Sequence, residues 1–149
     1  MRSPDTTEAR EALARRQREL VDAVVVGGPV PPGFDAHRVE IARSSLVDKR
    51  RDEVASQWPA VVASLGADFA PRFAAYAGST AAPVEGGPWA DGLAFVASRV
   101  PRRGLDPDAR RERDQARATH AIVRGRLVRR GAAARRMLGA VLLVRRRRG

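Results

Sequence analysis

Between positions 56 and 77 the chain reads SQWPAVVASLGADFAPRFAAYA, with rings at Trp58, Phe69, Phe73 and Tyr76. The last three are spaced by four and three residues, the repeat that lines up side chains on one face of an α-helix. Pro59 disfavours helical backbone at the residue before it, so a helix arriving at Trp58 has to turn there. Gly66 then closes a short apolar helix from Ala60 to Leu65. Short helices with a shared apolar side must pack on other helices. All seven aromatic residues of the chain lie between Phe34 and Phe95. Trp89, Leu93, Val96 and Val100 again repeat at helical spacing. The pattern predicts an all-α core built on Leu46, Trp58, Pro59, Leu65, Phe69, Phe73, Tyr76, Trp89, Leu93 and Val96.

The flanking segments extend this reading. A first helix is expected from about Asp5 to Val26, with Ala9, Leu13, Leu20 and Val24 on one face, widened by Val21 and Val25. Gly27 and Gly28 end it. The segment PVPPGF is an extended connector whose Phe34 is expected to pack at the start of the next helix. Asp35 is a good N-cap for a second helix reaching Trp58, with Val39, Ala42, Leu46, Val54 and Trp58 on one stripe. Arg50 interrupts that stripe. Its stem can lie along the core with the guanidinium at the edge, or it can form an anion pocket. Asp68 can cap a helix through Ala77. The segment GSTAAPVEGGP reads as a flexible loop, and Trp89 to Arg99 as a further helix. Asp106 or Asp108 can cap a last helix through about Ala121. Beyond it, AIVRGRLVRRG and MLGAVLLVRRRRG fit either two strands of a hairpin or the ends of basic helices. The expected fold is a compact bundle of about five helices over residues 1–121. A basic, weakly structured tail over 122–149, with some helix near 132–144, completes it.

Candidate chemistry is sparse. The chain has no cysteine, which removes disulfides, thiol nucleophiles and thiolate metal sites. His37 and Glu40 share one side of the second helix, but one histidine and one carboxylate make a poor metal site. His120 sits among arginines. Asp48, Asp52 and Glu53 alternate with Lys49, Arg50 and Arg51, the pattern of a solvated face. The prolines of GGPVPPG remove the backbone donors that a phosphate cradle needs. No catalytic, cofactor or metal residue is therefore expected, and the chain is not expected to be an enzyme. The longest apolar run, MLGAVLLV, is far short of the roughly 20 residues that cross a bilayer. The polar start shows no secretory segment, so a cytoplasmic protein without membrane contact is expected.

Charge is unevenly placed. Residues 1–101 carry 12 basic and 13 acidic groups, whereas residues 102–149 carry 16 basic and 4 acidic ones. Only Lys49 is a lysine. Arg124, Arg126, Arg129, Arg130, Arg145, Arg146, Arg147 and Arg148 are the candidate contacts for a polyanion or an acidic partner. No aromatic follows Phe95, so nucleic-acid binding here would be electrostatic, without base stacking. A solubilising tail, or arginine usage from a GC-rich genome, accounts for the same composition.

LVDKRRDEVASQWPAVVASLGADFAPRFAAYA, followed by WADGLAFVASRV, resembles the helical N-terminal domain of the HvfC/BufC-like proteins. The matching features are Trp58 to Val61, the Leu65-Gly66 turn, the Phe69, Phe73 and Tyr76 face, and the helix from Trp89 to Val96. ARRQRELVDAVVVGGPVPPGFD looks like the opening of a short actinobacterial version sometimes fused behind an oxidase domain. The resemblance implies a non-catalytic accessory protein that binds a multinuclear non-haem iron oxidase and its ribosomal peptide substrate. The iron ligands would belong to the oxidase. It also implies a possible DNA-binding role, and a nucleic-acid-binding module using the arginine-rich end is the alternative function. That arginine-rich end is not part of the resemblance.

Overall fold

The computed structural model describes residues 6–131. Among them are six α-helices: α1 (Thr6–Val25), α2 (Ala36–Gln57), α3 (Pro59–Leu65), α4 (Phe69–Ala77), α5 (Gly87–Arg99) and α6 (Pro107–Thr119). One antiparallel hairpin, β1 (His120–Val123) and β2 (Arg126–Arg129), follows α6. The architecture is thus all-α apart from two short strands. No helix among the described residues is long and apolar enough to cross a membrane.

α1 ends as its glycines dictate. Gly27 adopts the left-handed conformation with φ 76°, and the Gly28 N–H donates to the Asp22 carbonyl at 3.1 Å, six residues back. The connector then doubles back. Arg16 donates to the Pro32 carbonyl at 3.1 Å and lies over the Phe34 ring. Arg43, on α2, donates from Nε and Nη2 to the Ala23 carbonyl at 3.0 and 2.6 Å. Position 16 thus meets 32–34 while position 23 meets 43, so α1 and α2 run in the same sense where they touch. A guanidinium on the last carbonyls of α1 also complements the helix dipole.

This geometry corrects two expectations. The apolar face expected along α1 is covered only towards its C-terminal end: Leu20 and Val24 are half-buried, but Leu13 is 57% exposed. Phe34 does not pack into the bundle; it stays exposed with Arg16 against its ring.

α2 is capped by Asp35, whose carboxylate accepts from the His37 and Arg38 amides at 2.9 and 3.3 Å. It stops at Trp58, where φ −129° and ψ 54° leave the helical region ahead of Pro59. The interior is a ring cluster at the α4–α5 contact. Phe73 lies 5.8 Å from Phe69, 5.6 Å from Tyr76 and 5.3 Å from Phe95, in the tilted and edge-on arrangements that aromatic quadrupoles favour. Val54, Trp58, Val61, Leu93 and Val96 complete it. Of the expected core, Leu65 and Trp89 sit at its margin and Leu46 is half-buried outside it. Pro59 is exposed, because it occupies the first turn of α3, where a missing N–H costs nothing. α6 is anchored not by large residues but by Ala109 and Ala116, together with Leu105 just before it.

MLGAVLLVRRRRG lies outside the described residues, and AIVRGRLVRRG does not serve as one strand paired with it but folds into a hairpin of its own. Its turn is Arg124-Gly125, with φ 49° and 74°, the two positive values of a tight hairpin turn. Ile122 faces Leu127 across the strands, and both pack against the helical core. The loop before α5 is fastened to this hairpin rather than free. The Val84 N–H donates to the Gly125 carbonyl at 3.1 Å, and Glu85 pairs with Arg126 at 2.9 Å. Gly86 is left-handed with φ 89°, and a Cβ there would lie 2.7 Å from both Ala90 and Leu127. The division expected at 121/122 falls inside β1. The helix expected near 132–144 and the residues Arg145, Arg146, Arg147 and Arg148 lie outside the described residues.

Candidate functional site

Two polar features border the aromatic core. The first resolves the interruption at Arg50. Its Nε and Nη2 donate to the two Asp91 carboxylate oxygens, each at 3.0 Å. Nη1 donates to the Ala77 and Thr80 carbonyls at 3.2 and 2.9 Å. The Tyr76 hydroxyl donates to Asp91 at 3.0 Å. Both charged side chains are less than a tenth exposed. The guanidinium is therefore not at the edge of the core, and the anion it meets among the described residues is the internal Asp91. Bidentate geometry and satisfied donors are what make such a pair tolerable in low dielectric. Burial, followed by the neighbouring Asp91 charge, raises the Tyr76 phenol well above its usual pKa, so it stays a donor. The pair ties α2 to α5 and holds the C-terminal end of α4. This is a structural clamp.

The second feature is a cleft of about 420 Å³ lined by Gln57, Trp58, Trp89, Glu112, Gln115, Ala116 and Thr119. Its floor is the pair Trp58 and Trp89, stacked with centroids 6.0 Å apart. Trp58 Nε1 donates to the Trp89 carbonyl at 3.0 Å, which fixes the buried indole. Trp89 is half-buried, and His120 meets it edge-on at 5.1 Å. The His120 ring is held by a 2.9 Å contact between Nδ1 and the Thr119 hydroxyl. Glu112 Oε2 accepts from the Val61 N–H at 2.8 Å. That bond supplies what α3 lacks in its own sequence, since its N-cap is Trp58 and offers no side-chain acceptor. Glu112→Ala is expected to cost about 1 kcal/mol. Thermal denaturation followed by circular dichroism should register this as a fall of a few degrees in Tm.

α6 sorts its charges by face. Glu112, Gln115, Ala116 and Thr119, at spacings of three, four and seven, turn towards the tryptophans. Arg110, Arg113 and Arg117 fall on other sides. Arg113 is buried, and burial followed by the nearby Arg117 charge lowers its guanidinium pKa. Arg102 and Arg113 share Asp114, at 3.1 and 3.4 Å.

Of the polyanion candidates, Arg124, Arg126, Arg129 and Arg130 are among the described residues, and these four do not all face one side. In the hairpin register, Arg129 lies on the side of Ile122 and Leu127, while Arg126 lies on the opposite side. Arg126 is paired with Glu85, and Arg130 Nε donates to the His120 carbonyl at 3.3 Å. Arg124 is exposed at the turn. His37 is exposed, and Glu40 is engaged by Arg43 at 3.2 Å, so the two do not form a ligand pair. No group of three or more His, Cys, Asp or Glu among the described residues is arranged to hold a metal.

Sequence reasoning missed the cleft because Gln57, Glu112, Gln115 and Thr119 read as ordinary polar helix positions. It missed Asp91 too, although an acid inside WADGLAFV, with alanine, glycine, leucine and valine around it, was a signal that the stripe needed a partner for Arg50.

Comparison with known proteins places the chain, though not the α6 side of the cleft, in a family. A UPF0276 protein of Streptomyces avermitilis is 38% identical over 104 residues, covering 69% of this chain and 21% of the relative. The match thus spans about a fifth of that protein's length. No solved structure matches the chain. Residues 14–101, which hold the ring cluster, the Arg50–Asp91 clamp and the tryptophan floor, match the family described as SCO6045-like, C-terminal domain, and the chain belongs to that family.

Proposed function

We propose that the chain is a non-catalytic accessory domain that binds a UPF0276-type protein. One observation carries this reading. A homologous segment, 38% identical over 104 residues, makes up 21% of the Streptomyces avermitilis relative and is joined there to a much longer polypeptide. A domain covalently joined to a larger protein in a relative is suited to pack against a protein of that type. The finer form of the reading makes the larger partner a multinuclear iron-dependent oxidase acting on a ribosomal peptide, in line with the resemblance to HvfC/BufC-like proteins. Any iron would then be held by the partner. The internal clamp and the ring cluster give this domain a rigid shape, as a docking role requires.

The test is co-expression of the tagged chain with a UPF0276-type protein from the same genome. Co-purification at a fixed stoichiometry through a high-salt wash is expected. Recovery of the tagged chain alone would contradict the reading. The high salt matters, because a chain with a net charge of +11 captures acidic proteins without specificity. Polyanion binding by the arginine-rich end is less well supported, since Arg126 and Arg129 point to opposite sides of the hairpin.

A further inference from the structure

The tryptophan cleft differs from its surroundings in charge. The chain carries 28 basic and 17 acidic residues. Yet the seven lining residues include one carboxylate and no lysine or arginine. α6 achieves this by turning Arg110, Arg113 and Arg117 away from the side that carries Glu112, Gln115 and Thr119. Glu112 uses Oε2 on the Val61 amide, and its Oε1 has no hydrogen-bond partner among the described residues. The side chains of Gln57 and Gln115 likewise have none among those residues, so their carbonyl oxygens are available acceptors. The floor is the half-buried indole of Trp89, backed by the stacked and buried Trp58, and indole is the aromatic surface that attracts cations best.

We propose that this cleft binds an organic cation, the guanidinium of an arginine side chain in a peptide. The planar group would lie against Trp89 and donate to Glu112 Oε1 and to the glutamine carbonyls. Two sources supply that chemistry. One is a peptide in trans. The other is the chain's own arginine run at positions 145–148. Arg130 donates from its backbone N–H to the Thr119 carbonyl at 2.7 Å, so the described chain ends close to the cleft rim. The 14 Cα-to-Cα steps from Gly131 to Arg145 can reach up to roughly 45 Å.

Both tryptophans of the chain line the cleft, so intrinsic fluorescence reports on it directly. The experiment titrates the full-length protein with N-acetyl-arginine amide and, as the neutral isostere, N-acetyl-citrulline amide. A saturable fluorescence change with the arginine compound and none with the citrulline compound is expected. Gln115→Lys places a cation in the cleft at an exposed position of α6, where the fold is retained and can be checked by circular dichroism. It should weaken binding by roughly tenfold or more. A full-length variant with Arg145, Arg146, Arg147 and Arg148 all changed to glutamine separates the sources. Tighter binding in that variant identifies the chain's own run as the competing occupant, and unchanged binding identifies a peptide in trans. Equal responses to the two compounds, no saturable response in either protein, or indifference to Gln115→Lys would each overturn the proposal. Failure here leaves the accessory reading untouched, because that reading does not depend on what the cleft holds.

Discussion

Asp91→Ala is expected to destabilise the protein by about 3–5 kcal/mol, the cost of leaving a buried charge without its partner. Small domains are stable by only about 5–15 kcal/mol, so much of the protein should be unfolded at moderate temperature. The size follows from the geometry. Arg50 loses both bonds from Nε and Nη2, and Tyr76 loses its acceptor, while all three remain enclosed by Phe73, Ala77 and α5. The double variant Arg50→Met with Asp91→Leu removes both charges together and should recover a large part of the loss. Chemical denaturation with urea measures both. A loss below about 1 kcal/mol in the single variant would mean that the pair is solvated and is not a clamp.

Gly92→Ala gives the second large effect, and its sign is diagnostic. In a helix interior alanine is ordinarily better than glycine by about 1 kcal/mol. At this position a Cβ would fall 2.1 Å from Trp58 Nε1 and 2.3 Å from Cδ1. The indole is fully buried and bonded to the Trp89 carbonyl, so it cannot yield without losing packing and that bond. Displacing it breaks that bond and separates α2 from α5, at a cost of about 3 kcal/mol or more. Tryptophan emission should shift to longer wavelength as the ring is exposed. A variant as stable as the wild type would show that α5 does not approach Trp58 this closely.

What could be read from the sequence, and what could not, divides along a physical line. Helical spacing placed Phe69, Phe73 and Tyr76 on one face, and the local backbone rules at Pro59 and Gly27 placed two of the helix ends. These signals are local, set within a few residues by sterics and periodicity. The contacts that hold the helices together were not legible, because they join positions far apart. Asp91 answers Arg50 across 41 residues, and Glu112 caps α3 across 51. Periodicity marks a residue as inward-facing but does not say what it meets, which is why Phe34 and Leu13 were expected inside and lie outside. The span of α6 and its Asp106 cap were legible, but the face it buries was not, for the opposite reason. Its buried stripe is made of Ala109, Arg113 and Ala116, and small or charged residues carry little hydropathy signal. The candidate cleft is assembled from α2, α5 and α6 together, so no single stretch of sequence announces it.

These features describe a helical domain held by long-range internal contacts, and the role proposed for it is to bind a UPF0276-type protein. The most direct test is isothermal titration of this chain into the Streptomyces avermitilis UPF0276 protein from which the homologous segment has been deleted. The account predicts a one-to-one complex with Kd of about 10 μM or tighter, persisting at 0.5 M salt. Absence of binding heat at ten times that concentration, with both proteins folded, would contradict it.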